Sequence, residues 1–167
     1  MQTDLVVQQD LVAEWIVRAI RNDFSNTNLS GAYMAGVDLT GAGFEDADLS
    51  NANLTYAGLT DAYLYYTDLT NADLSNAFLM YAYLTGANLT GANLSNADLM
   101  YAYLDGVDLT GADLSYAHLL DTDLTDVDLT GADLTGAYSL TTVDWYNIIC
   151  PDGTNSDNNG NTCVNNL

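Results

Sequence analysis

Few side chains in this sequence could do covalent or acid–base work. The 167 residues include one histidine, His118, two cysteines, Cys150 and Cys163, and no lysine; Arg18 and Arg21 are the only arginines. Catalysis needs a nucleophile or base with an activating partner in reach. The plentiful Asp, Ser and Thr recur at fixed spacing, as ladders rather than as a convergent cluster. Neither a glycine-rich phosphate loop nor a metal-binding pair of histidines is present. These residues predict a non-enzymatic protein without cofactors.

The cysteines bracket an Asn-, Gly- and Asp-rich stretch, CPDGTNSDNNGNTC. With no histidine nearby they are too few for a structural zinc site. A disulfide between Cys150 and Cys163 would close a short loop and contribute roughly 3 kcal/mol. It would also place the protein in an oxidising compartment such as the periplasm, the thylakoid lumen or the extracellular space. Inside the loop, Asn155-x-Asp157-x-Asn159-Gly160 is similar to the first half of a calcium loop. Its first ligand position is Asn, and its twelfth reaches Asn166 where a bidentate Glu is needed. Turn chemistry is therefore expected there and no metal site, with Asn155, Asp157 and Asn159 the one calcium candidate.

Against two arginines stand 23 acidic residues, a formal charge of −21. That charge repels phosphate backbones and anionic lipid surfaces, so neither direct nucleic acid binding nor membrane attachment is expected. No apolar run approaches the roughly 20 residues that cross a bilayer. The first residues, MQTDLVVQQD, have no basic region ahead of an apolar stretch. An exported chain would then be a mature form whose signal peptide has been removed.

A repeat positions all of these residues. From Asn22 to Gly136 the chain divides into 23 five-residue units without an insertion. The central residue of each unit, i, falls at Phe24, Leu29, Met34 and every fifth position to Leu134. Position i−2 is mostly Ala, i−1 mostly Asp or Asn, i+1 mostly Ser or Thr. Five residues advance about 500° on an α-helix, which would spread the leucines around it. In a flat strand, five is odd and would send alternate leucines to opposite faces. A period of five therefore requires one turn per unit, with i and i−2 always inward. The hexapeptide LMYAYL, at Leu79–Leu84 and Leu99–Leu104, recurs after 20 residues. Four units thus make one coil, and the solenoid is four-sided.

Units such as ADLSN (Ala47–Asn51), ANLTG (Ala87–Gly91) and ADLTG (Ala132–Gly136) match the motif A(D/N)LXX. In this the chain resembles the pentapeptide repeat proteins. The resemblance implies an all-β solenoid, a right-handed quadrilateral β-helix, here of about six four-sided coils and about 29 Å long. The expected organisation is an N-terminal capping α-helix over 1–21, the β-helix over 22–141, and a C-terminal cap with a disulfide-closed tail over 142–167. In the first segment Val12, Trp15, Ile16, Ala19 and Ile20 share a helical face. At the other end Ser139 breaks the pattern, and Leu140, Val143, Trp145, Ile148 and Ile149 are expected to cover the last coil. Exported members of the family, cyanobacterial ones among them, agree with the compartment that a disulfide suggests.

The 20-residue register also sorts the outward residues. Two acidic ladders emerge, one with Asp48, Asp68, Asp108 and Asp128, the next with Asp73, Asp113 and Asp133. Over the rod, charges fall about every 1.7 Å, the value for duplex DNA. Some pentapeptide repeat proteins mimic B-DNA and bind DNA gyrase, so the resemblance raises that activity as an alternative function. The ladders contain Asn as well, and the coil Ala82–Tyr101 holds only Asp98. Around that coil, Tyr63, Tyr65, Tyr66, Phe78, Met80, Tyr81, Tyr83, Met100, Tyr101, Tyr103 and Leu120 should form one aromatic and methionine patch on two adjoining sides. Stacked Tyr and Met ladders that stabilise neighbouring coils are one expectation for such a patch, and an interaction surface is the other. The leading expectation is a rigid structural or protein-interaction module, whose partner is another protein or a second copy of itself.

Overall fold

The computed structural model describes residues 22–156 and 162–163. The capping helix expected over 1–21, and Asp157 and Asn159 of the calcium candidate, lie outside the described residues. Parallel bridges join residues 20 apart in four columns, through Asp23, Asn28, Tyr33 and Asp38 and their successors. The chain is a four-sided solenoid. Side 1 is centred on Phe24, Phe44, Leu64, Leu84, Leu104 and Leu124, and side 2 on Leu29 and its equivalents. Side 3 begins at Met34 and side 4 at Leu39.

The five-residue unit works because, where i−1 is Asp or Asn, every backbone N–H within it has an acceptor. In the unit of Leu49, the Leu49 N–H donates to Asp68 O on the next coil, and the Asn51 N–H to Thr70 O. The Ala52 N–H closes the corner onto Leu49 O, while the Asp48 N–H donates to Thr27 O on the preceding coil. The Ser50 N–H, the fifth, donates to the Asp48 side chain at 3.0 Å. Buried backbone groups must be paired, and this scheme pairs them without long strands.

Each corner has a left-handed residue at i+2, from Asn26 (φ 56°) to Gly136 (φ 71°). With the i to i+3 hydrogen bond, that is a type II turn. Gly, Asn and Asp fill most of these positions because they tolerate the left-handed region. Tyr56, Tyr66, Tyr81, Tyr101 and Tyr116 occupy it too, at a cost of about 1–2 kcal/mol each. Leucines at i and alanines at i−2 fill the interior, from Leu39 to Leu129 almost wholly excluded from solvent. Each leucine so buried contributes about 1.5–3 kcal/mol. Thr67 and Thr122 replace Ala inside, and their hydroxyls donate to Phe44 O and Leu99 O.

Past Gly136 the ladder continues with a shifted register. Ser139 (φ 65°) leads into a 3-10 turn, Leu140–Thr142, that inserts one residue. Asp123 then bridges Asp144, and Asp128 bridges Ile149, at a spacing of 21. VDWYN (Val143–Asn147) and IICPD (Ile148–Asp152) are thereby two further units. Val143, Trp145, Ile148 and Cys150 take the inward positions, whereas Ile149 stands in the outward ladder. The chain then reverses, and Asn155 pairs antiparallel with Ile149. Ser156 is buried there, its hydroxyl donating to Trp145 O and accepting the Ile148 N–H. A disulfide joins Cys150 to Cys163, with Cα atoms 5.4 Å apart and both sulfurs within the core.

Candidate interaction surface

The acidic ladders are built into the turns. On side 2 the Oδ1 of Asp68 accepts the Thr70 N–H at 3.0 Å and the Thr70 hydroxyl at 2.5 Å. Asp48 with Ser50 and Asp128 with Thr130 repeat the pattern. Backbone N–H groups donate likewise to Asp108, Asp73, Asp113 and Asp133. Asn53, Asn88 and Asn93 accept in the same way, which is why Asn and Asp interchange along these columns. These are Asx-turns. Hydrogen bonds from the side chain and then the backbone of the residue at i+1 hold the carboxyls of Asp38, Asp48 and Asp133 below their ordinary pKa.

The aromatic residues form the other surface. Tyr63, Tyr83 and Tyr103 stack down side 1 with centroids 5.2 and 5.0 Å apart and rings nearly parallel. Tyr65 leans against Tyr83 at 5.7 Å, and its burial, then its neighbours Tyr83 and Tyr63, push its phenol pKa up. Tyr81 stacks on Tyr101 at 5.0 Å at the corner between sides 4 and 1. Phe78, Met80, Met100 and Leu120 lie on side 4. Tyr63, Tyr66, Phe78, Tyr81 and Tyr103 are exposed, and the remaining members are half-buried. The five exposed rings alone present on the order of 500 Å². The stacking stabilises neighbouring coils as cross-strand pairs do, but leaves ring edges and hydroxyls in solvent.

Other groups fall outside this surface or at its rim. His118 points outward on side 4, stacked on Tyr138 at 4.4 Å, with Nδ1 3.7 Å from an Asp98 carboxylate oxygen. Among the described residues no three His, Cys, Asp or Glu side chains are grouped to hold a metal. A cleft of 370 Å³ opens beside the shifted last units, lined by Ala132, Leu134, Ala137, Leu140 and Pro151 among others. Tyr33, outward at the head of the second ladder, is exposed, and the sequence reading missed Tyr56, Tyr116, Tyr138 and Tyr146 as exposed rings. Their positions at i−1, i+1 or i+2 of a unit were the available signal.

A family model for pentapeptide repeats, in eight copies, matches residues 23–55, 44–79, 79–115 and 102–138. The chain belongs to the pentapeptide repeat family. Pentapeptide repeat proteins fold as right-handed quadrilateral β-helices, and the four columns of bridges are that architecture. Among solved structures, the chain is similar to the pentapeptide repeat protein Rfr23 from the cyanobacterium Cyanothece 51142. The identity is 26%, covering 80% of this chain and 97% of that one, with a TM-score of 0.55. It is also similar to a pentapeptide repeat protein of the Arabidopsis thaliana thylakoid lumen, at 33% identity over 63% of this chain and 66% of that one, TM-score 0.38. QnrB1, a plasmid-mediated fluoroquinolone resistance protein, shares 21% identity over 75% of this chain and 74% of that one, TM-score 0.41. No protein of curated function matches. Among the described residues no helix is long and apolar enough to cross a membrane.

Proposed function

We propose that this pentapeptide repeat protein is a non-enzymatic, rigid interaction module whose working surface is the aromatic and methionine patch on sides 4 and 1. The observation that carries this reading is the exposure of Tyr63, Tyr66, Phe78, Tyr81 and Tyr103 on sides 4 and 1 and their corners, beside the scattered exposed rings of Tyr33, Tyr56, Tyr116, Tyr138 and Tyr146. Rigidity comes from the hydrogen bonds between coils and across each corner, which present these side chains on a fixed backbone. The Cys150–Cys163 disulfide supports an extracytoplasmic site of action, in the periplasm, in the thylakoid lumen or as a secreted protein. Replacing Tyr81, Tyr83, Tyr101 and Tyr103 with Ser tests the reading. Loss of partner capture or a changed sedimentation profile is expected, with the solenoid's circular dichroism retained. Unchanged sedimentation and unchanged partners would reduce the tyrosines to a stabilising ladder.

The density of acidic residues along the rod favours a second reading, an acidic B-DNA mimic that binds a DNA-binding protein such as gyrase. Against it stands the use of the ladder carboxylates as turn acceptors, interspersed with Asn. A gyrase supercoiling assay decides it: inhibition by the purified chain supports mimicry, and none at large excess disposes of it.

A further inference from the structure

We propose that the tyrosine and methionine edge docks an apolar protein segment flanked at both ends by Lys or Arg, rather than a second copy of this chain. The proposal rests on the module reading above and names the chemistry of its partner.

Three departures from the repeat coincide at this edge. Tyr63, Phe78, Tyr83 and Tyr103 take i−1 positions where Asp or Asn would accept the i+1 N–H, and an aromatic ring offers no such acceptor. Side 1 is flanked by strained corner tyrosines, Tyr66 (φ 56°) at its corner with side 2 and Tyr81 and Tyr101 (φ 59° and 60°) at its corner with side 4, where Gly or Asn would be unstrained. Tyr66 also demands a glycine one coil on: a Cβ at Gly86 would lie 2.6 Å from its ring, yet the ring stays 65% exposed. Three of the five left-handed tyrosines flank side 1, Tyr56 and Tyr116 being at the corner between sides 3 and 4, and strained residues on one surface point to function there. Stacking offsets part of the strain at Tyr81 and Tyr101, while Tyr66 gains little burial in return.

Charge selects the partner. In the i+1 column of side 1, Glu45 stands above Tyr65 and Asp105 lies two coils below it. Asp46 and Asp61 flank the upper end, and Asp121 and Asp123 the lower. No lysine or arginine lies among the described residues. A second copy would set these carboxylates against their equivalents, and like charges across an interface oppose association. A segment with cations at its ends would instead pair with Glu45 and Asp105, three coil rises or about 14 Å apart, and lay its apolar middle on the rings between them.

The probe is a labelled twelve-residue peptide with two lysines at each end and a Leu/Tyr centre. Its partner probes have the same charge with a Ser centre, or Glu in place of Lys. Binding is read by fluorescence anisotropy and sedimentation at 50 and 500 mM NaCl. The apolar-centred cationic peptide is expected to bind at least tenfold tighter than either control and to weaken with salt. Tyr66→Asn with Tyr81→Asn, which keep corner-competent residues, should abolish that preference without lowering the melting temperature. Glu45→Gln with Asp105→Asn should weaken binding severalfold at low salt only. Equal binding of the Ser-centred peptide, or Asn variants that bind like the parent, would overturn the proposal. So would a dimer of the chain that tightens as salt rises, a result that keeps the interaction-module reading and replaces the partner.

Discussion

Substituting Asp68 in two ways separates turn chemistry from charge. Asp68 accepts the Thr70 N–H and hydroxyl, and Asp48 and Asn88 bridge it from the coils on either side. Asp68→Ala leaves the Thr70 N–H without its acceptor. Removing a comparable side-chain cap from a helix N-terminus costs about 1 kcal/mol. The same substitution deletes a like charge about 4.8 Å from Asp48, worth about 0.9 kcal/mol in water and less once salt screens it. Asp68→Asn keeps an acceptor and also removes the charge. The Asn variant should therefore match or exceed the parent in stability, most clearly at low salt, and the Ala variant should fall about 1 kcal/mol below Asn. Urea unfolding followed by circular dichroism at 20 and 300 mM NaCl measures both. If Ala and Asn shift the midpoint equally, the ladder is there for its charge and the Asx-turn account fails.

Three further outcomes are expected. Tyr56, exposed and left-handed with φ of 58°, should gain about 1 kcal/mol on replacement by Asn, read by urea unfolding. Replacing Cys150 and Cys163 together with Ala should cost about 3 kcal/mol, and the unreduced denatured parent should show no titratable thiol. The carboxyls of Asp38, Asp48 and Asp133 are held below the ordinary value of 3.8 by hydrogen bonds. Their folded pKa values are lowered, so their stabilisation is present above pH 3.8 and is lost as pH falls through the folded values. Carbon-13 NMR titration should show them ionising below the exposed aspartates that lack such bonds.

The period of five and the repeat of LMYAYL made the four-sided coil legible, because only an inward i and i−2 at every turn satisfies them. The pairing of Cys150 with Cys163 was legible from composition alone. The chain beyond Ser139 was harder, since one inserted residue shifts the frame and Val143/Trp145 and Ile148/Cys150 replace the Ala/Leu pair. Asp144 at i−1 and Asn147 at i+2 were the remaining signs of a unit, too few to stand out by letter. The mixture of Asn with Asp in the ladders was legible as turn and hydrogen-bond chemistry, but a sequence does not show the donor, the bond from Thr70 back to Asp68. The tyrosine edge was legible as a column. Its ring stacking and the left-handed strain at Tyr66, Tyr81 and Tyr101 were not, because both depend on which corner each residue turns.

A fold this regular leaves little sequence free, and that constrains where function can be written. Leucine at i and alanine at i−2 are fixed by the core, i+2 by the left-handed corner, and i−1 by the need to accept the i+1 N–H. Only i+1 varies without consequence for the backbone. A residue that breaks one of the other rules must be supported by something else, and a cluster of such residues is informative even without a ligand. Single breaks such as Tyr56 and Tyr116 at i+2 are scattered, and the breaks concentrate in two places. At Ser139 to Cys163 the breaks close the end of the solenoid, with Trp145, Ser156 and the disulfide as compensation inside the protein. At Tyr63, Tyr66, Phe78, Tyr81, Tyr83, Tyr101 and Tyr103 the compensation within the chain is partial, since stacking recovers contact for some rings and leaves others open. The deficit at that edge is the physical reason to look for the compensating surface on another molecule.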